Sequence, residues 1–224
     1  MEYEHLGLGG SSIVSAESGG KTALKGHQVW VGGKRCAVSE NPDDCEKALA
    51  REGVVYQHLG EHPHILKCYG LVEVHPSVHS LRLERAPYGN VRQFIRNTRC
   101  KPPSEQDRLT MALGVPGGLA HVHAKNVIHC DISCRNLFLF PSGCVKIDDF
   151  GSALLDGTSP ANDIVEEIRY ELPLRGRAFE ERPHIKRELF ALGSAIYETM
   201  SWKMPFEELD DDDVEKMPQR SFQM

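Results

Sequence analysis

No apolar stretch in these 224 residues approaches the roughly 20 that a membrane-spanning helix requires. The opening Met1-Glu2-Tyr3-Glu4-His5 lacks the basic flank and apolar run of a secretory signal. An excess of positive charge is also missing. Lys and Arg number 26 against 32 Asp and Glu, a net charge of −6, which argues against a dedicated binder of nucleic acid or of an anionic membrane. Any affinity for phosphate has to be local. The seven cysteines, at 36, 45, 68, 100, 130, 134 and 144, are odd in number and lack the paired close spacing of a zinc site. They read as reduced thiols, so a cytoplasmic protein is expected, with a nuclear one still open. What is present is an ordinary folded composition: 40% apolar and 26% charged residues, with glycine and proline too sparse for a collagen-like or disordered chain. The length suits one large domain or two small lobes.

Organisation changes along the chain. Residues 6 to 85 are dense in glycine and in β-branched or apolar pairs, with one helix-like stretch from Pro42 to Leu59, which suggests a small sheet carrying a single helix. From Val91 onward helical patterns dominate. Asn90 is placed to cap a short helix into Ile95, and Ser104-Glu105-Gln106-Asp107 opens a longer one as a capping box. Gly114-Val115-Pro116-Gly117-Gly118 falls inside that longer helix and predicts a kink or break, since an interior proline costs about 3 kcal/mol and each glycine about 1. Glu188 to Met200 is apolar on nearly every side, as at the centre of a lobe. The expectation is an α+β chain with a β-rich N-lobe over 1–85, a hinge over 84–89 and an α-rich C-lobe over 90–224. The acidic run Asp210 to Asp213 reads as a solvated loop or a helix start.

The chemistry sits around a predicted hairpin, Leu137-Phe138-Leu139-Phe140 and Cys144-Val145-Lys146-Ile147 about the turn Pro141-Ser142-Gly143. Before it comes His129-Cys130-Asp131-Ile132-Ser133-Cys134-Arg135-Asn136, and after it Asp149-Phe150-Gly151. Such a hairpin brings Asp131, Asn136 and Asp149 to one place: hard oxygen ligands for magnesium, and a carboxylate to orient a hydroxyl and take its proton. The bland alternative for both aspartates is capping or turn-making. His-x-Asp-x4-Asn with Asp-Phe-Gly at one fixed spacing arises by chance about 3 times in a million in a chain of this composition, which disfavours the bland reading.

The pattern resembles the signature of the protein kinase family, and the resemblance covers nearly all of residues 6 to 208. It implies a two-lobed fold, ATP and Mg2+ as cofactors, Asp131 as the catalytic carboxylate and Asn136 and Asp149 as metal ligands. Leu6-Gly7-Leu8-Gly9-Gly10-Ser11-Ser12-Ile13-Val14 resembles the glycine-rich loop, with Ser12 in place of the third glycine, so Gly7, Gly9, Ser12 and Val14 are implied to line the phosphates. Ala23-Leu24-Lys25 resembles the strand bearing the phosphate-gripping lysine, and Glu52, ten residues before His62-Pro63-His64-Ile65, is its implied partner. The rival strand Cys36-Ala37-Val38-Ser39 puts serine in the lysine slot and reads instead as half of an inserted hairpin with Gln28 to Val31. Leu83, Glu84 and Ala86 are implied to meet adenine.

Several positions depart from the family pattern. Cys130 replaces an arginine, Glu188 stands for an aspartate, and Tyr170-Glu171-Leu172-Pro173-Leu174 is the nearest equivalent of Ala-Pro-Glu. The chain ends soon after Leu209, which suggests a shortened C-lobe whose central helix has lost part of its cover. The resemblance implies a kinase acting on a Ser or Thr hydroxyl of a protein, with Tyr as rival because Arg135 stands four residues after Asp131. The competing readings are a nucleotide-binding pseudokinase scaffold and a small-molecule phosphotransferase. Neither nucleic acid nor membrane is expected as a partner, and the oligomeric state is open.

Overall fold

The computed structural model describes residues 3–8, 12–17, 19–31, 34–37, 42–155, 166–174, 178 and 181–215. Three N-terminal strands, β1 (Tyr3–Leu8), β2 (Ile13–Glu17) and β3 (Thr22–Gly26), are followed by a separate hairpin, β4 (Gln28–Val31) with β5 (Lys34–Ala37). The expected hairpin thus forms, while its turn at 32–33 and Val38 lie outside the described residues. Helix α1 (Pro42–Leu59) comes next, then β6 (Cys68–His75) and β7 (Val78–Glu84). Strands β1, β2, β3, β7 and β6 form one antiparallel sheet in that spatial order. Its register lays Val14 opposite Lys25 and Lys25 opposite Leu81.

Helix α1 carries Asp43 and Asp44 in its first turn, charges that suit the dipole of a helix. Gly60 ends it with φ +70°, a conformation open to glycine, and its N–H returns to Tyr56 O at 3.1 Å.

The second part of the chain is helical. Helix α2 (Val91–Thr98) is capped by Asn90, whose side chain accepts from Gln93 N, and α3 (Glu105–Ala124) by Ser104, which accepts from Asp107 N. Two-residue β8 (Val127–Ile128) pairs with β11 (Leu154–Leu155), and between them β9 (Leu137–Leu139) pairs with β10 (Val145–Ile147). Helices α4 (His184–Ser201) and α5 (Asp211–Glu215) follow. The acidic run is a helix start, with Asp210 Oδ1 accepting from Asp213 N.

Two expectations are corrected. The proline and glycines do not break α3, which runs through all 20 residues. The glycines are there for close approach: a Cβ at Gly118 would lie 2.8 Å from His64 O and 3.0 Å from Ile147 Cδ1, and one at Gly114 3.0 Å from His64 Nδ1. Burial of Val115, Leu119 and Val122, each about 1.5–3 kcal/mol, offsets the propensity cost. Nor is α4 buried all round, because Leu189 and Tyr197 are half exposed. Its buried face carries Ala191 and Ala195 together with Arg187, Glu188, Glu198 and Thr199, a small and charged surface where an apolar one was expected.

One apolar core joins both parts, from Leu49 and Val55 of α1 through Leu81 and Leu83 of β7 to Leu119, Ile147 and Phe150. Main-chain bonds tie them too: Leu66 N donates to Ile147 O at 2.8 Å and Ile147 N to His64 O at 2.9 Å. The β9–β10 hairpin is thereby held against the segment that links α1 to β6.

Candidate active site

Alternation along β3 buries Ala23 and Lys25. Lys25 Nζ reaches Glu52 Oε1 of α1 at 2.9 Å and Asp149 Oδ1, just after β10, at 2.6 Å. Burial disfavours the ammonium charge, but the carboxylates of Asp149, Glu52 and Asp148 more than offset this and hold Lys25 above its ordinary pKa. Glu52 is pushed up to about 7 by burial, with Asp149 and Asp148 repelling and Lys25 pulling it back. Asp149 itself stays below the usual carboxylate range, because Lys25 outweighs the cost of its partly buried setting. It sits at φ 65°, a left-handed conformation that costs a non-glycine residue of order 1–3 kcal/mol and clusters at functional sites.

Asp131 lies across from this cluster. Asn136 Nδ2 donates to Asp131 O at 2.8 Å and to Asp131 Oδ2 at 2.9 Å, and Asp148 N donates to Asn136 O at 2.9 Å. The hairpin therefore gathers Asp131, Asn136 and Asp149 at one end, close enough for the Asp149 charge to act on Asp131. Burial pushes Asp131 up to about 6, Asp149 adds to that rise and Arg135 opposes it. Its Oδ1 is buried and takes no hydrogen bond. His129, fully buried, supports the loop: its Nδ1 accepts from Asp131 N, its Nε2 faces Asp148 O at 2.8 Å, and its own N–H donates to Glu188 Oε1 at 2.9 Å. The longer glutamate at 188 thus bonds the loop backbone. Cys130, at φ 68°, is buried, and that burial raises its thiol to about 12.

The remaining expected residues are placed less tightly. Gly7 lies opposite Val14 in the β1–β2 pair, and Ser12 is buried beside it. Gly9 falls outside the described residues. Leu83 is buried opposite Ala23, Glu84 N donates to Lys67 O and its carboxylate binds Lys146 at 2.6 Å, and Ala86 O accepts from Gly89 N.

Several residues of the site escaped the sequence reading. Tyr56 hydrogen-bonds buried Asp148 and meets Phe150 edge-on at 5.0 Å. Its position four residues after Glu52, on the same helix face, was an available signal. Arg51 donates to Gly151 O at 2.9 Å and to Ala153 O, tying α1 to the chain after Phe150. No spacing pointed to it.

A family model described as the protein kinase domain matches residues 2–224. The chain belongs to that family. As a kinase domain it is 31% identical, over 89% of its length, to "Mitogen-activated protein kinase kinase kinase 20" of Arabidopsis thaliana. It is 33% identical over 72% to "Aurora kinase A-B" of Xenopus laevis and 28% over 77% to "Serine/threonine-protein kinase Nek5" of Mus musculus. The matched region spans 58%, 38% and 27% of those three relatives. The two-lobed α+β architecture is that of a kinase domain, with the β-sheet region before the helical one. No helix among the described residues is long and apolar enough to cross a membrane.

Proposed function

We propose that this chain transfers the γ-phosphate of ATP to a Ser or Thr hydroxyl of a protein. The observation that carries the reading is the convergence on one cleft of Asp131, Asn136 and Asp149 from the hairpin with Lys25 and Glu52 from β3 and α1. Asp131, its carboxylate oriented by Asn136, is the group to take a hydroxyl proton. Lys25, fixed by Glu52, would hold the nucleotide phosphates, with Gly7, Gly9, Ser12 and Val14 beneath them and Leu83, Glu84 and Ala86 around the base.

The donors suit magnesium. Asn136 spends its Nδ2 on Asp131 and so keeps its amide oxygen, and Asp149 offers a carboxylate on a side chain that is 43% exposed. These two would hold the ion, which when bound neutralises charge on the phosphate oxygens. Three carboxylates around one ammonium are an arrangement that a divalent cation relieves. The serine/threonine assignment follows the printed name of the Nek5 relative. A reducing, cytoplasmic setting fits the free thiols of all seven cysteines.

The test is the purified chain with labelled ATP, magnesium and peptides bearing Ser, Thr or Tyr. Label is expected on Ser or Thr, with Asp131→Asn slower by about 10^2–10^4-fold. Thermal stabilisation by Mg-ATP without any transfer would instead support a nucleotide-binding scaffold.

A further inference from the structure

Away from Lys25, two consecutive glutamates between β11 and α4 are each held by arginine. Glu166 Oε1 accepts from Arg187 Nε of α4 at 2.9 Å, both side chains almost wholly buried. Glu167 joins α2 to the loop before β9: Oε1 accepts from Arg92 Nη1 at 2.9 Å, and Oε2 makes an ion pair with Arg135 Nε at 3.0 Å that lies outside hydrogen-bond geometry. Arg92 is a rigid base, buried and bonded through Nη2 to Glu198 Oε2 at 2.9 Å and to the Tyr170 hydroxyl at 3.2 Å.

Arg135 is different. Its side chain is 51% exposed, and its Nη2 stands 3.8 Å from Asp131 Oδ1, the oxygen that takes no hydrogen bond. A half-exposed arginine has a long side chain rich in rotamers and does not hold one pose unaided. Across its Nε the Glu167 carboxylate supplies the second fixed point. Glu167 touches none of Asp131, Asn136 or Asp149 in any hydrogen bond or ion pair among the described residues, so it acts on them through its two arginines: Arg135 directly, and Arg92, whose backbone N–H donates to Cys134 O of the same loop at 3.0 Å.

We propose that Glu167 is a positioning residue for phosphoryl transfer: bridging Arg92 and Arg135, it holds the Arg135 guanidinium beside Asp131 and fastens residues 166–170 to the loop that carries Asp131. This rests on the transfer reading above. A glutamine at 167 keeps the volume but loses the charge that both arginines share, and Arg135 is then free to leave Asp131.

The experiment is steady-state kinetics of Glu167→Gln, Glu167→Asp, Arg135→Gln and the double variant Glu167→Gln/Arg135→Gln, with melting curves for each. Glu167→Gln is expected to lower kcat at least about tenfold, as small misplacements near the chemistry do, with KM for ATP unchanged within about twofold. Glu167→Asp, which keeps the charge, recovers part of the loss. The double variant is no slower than the worse single one, because both remove the same bridge. Strictly additive losses, or an unchanged kcat in Glu167→Gln, overturn the proposal. If Glu167→Gln does not fold, Arg135→Gln decides it, and an unchanged kcat there overturns it. If the wild-type chain transfers no phosphate, the transfer reading falls by itself. Hydrogen exchange at the amides of 133–136 then judges the bridge: faster exchange in Glu167→Gln supports it and unchanged exchange overturns it.

Discussion

Two charged clusters lie inside this molecule, and they differ in balance. Around Lys25, three carboxylates (Glu52, Asp148 and Asp149) face one ammonium, and the Asp149 side chain is partly open to the cleft. Around Arg92, three guanidiniums (Arg92, Arg135 and Arg187) meet three carboxylates (Glu198, Glu167 and Glu166), most of them sealed from water. The second cluster balances its own charges, three against three, and braces α2, α4 and the chain before α4. The first does not, and an uncompensated charge kept at a cleft is what a site for a cation and its phosphates requires. Imbalance marks the chemistry here, while balance marks the scaffold.

The largest effect that could break this contrast is on stability. Glu198 is fully buried and bonded by Arg92 and Tyr170, so Glu198→Ala leaves the buried Arg92 guanidinium with Glu167 as its remaining carboxylate and its Nε without the Glu198 bond. A loss of about 3–5 kcal/mol is expected, read as a lower denaturant midpoint at unchanged slope. Glu52→Gln is expected to act in the opposite sense on the two readouts. Stability should move by less than about 1 kcal/mol, because the amide oxygen still accepts from Lys25 and one of three crowded charges is gone. Phosphate transfer should fall by about 10^2-fold, since Lys25 loses the partner that fixes it. If Glu52→Gln unfolds the chain while Glu198→Ala leaves it intact, the assignment of scaffold and site is reversed.

The same contrast explains what the sequence made legible. Residues that serve one chemistry sit at fixed spacings, so Asp131, Asn136, Asp149 and the helix with Glu52 stood out as text. The bounds of α1 and the caps Asn90 and Ser104 were also legible, because capping and period are local. The bracing cluster was not, because Arg92 and Glu198 are 106 residues apart and any buried Glu can meet any buried Arg. The supposed break in α3 failed for a related reason: propensity counts the cost of Gly118 to the helix but not the backbone of His64 lying against it. Gly118→Ala tests this at a middle scale. Alanine is the better helix former by about 1 kcal/mol, yet its methyl would meet His64 O at 2.8 Å, so a net loss of about 1–3 kcal/mol is expected in equilibrium unfolding. A gain would return the expectation to local propensity.

The smallest effect comes from a stacked histidine. His62 stacks on His121 with ring centroids 4.4 Å apart, and the His64 ring, tilted to it, lies 5.9 Å away. His62 is held below the ordinary histidine pKa, by burial first and then by His121 and His64. As pH falls below about 6.5 the unfolded chain takes up the His62 proton before the folded one does. Stability therefore declines with acid through that group, rising with pH wherever the unfolded state binds more protons. In His62→Gln this share of the slope below about pH 6.5 should vanish, while stability at pH 8 changes little. The measurement is the denaturant midpoint at each pH for both proteins, and parallel curves would show that the stack accepts a proton without cost.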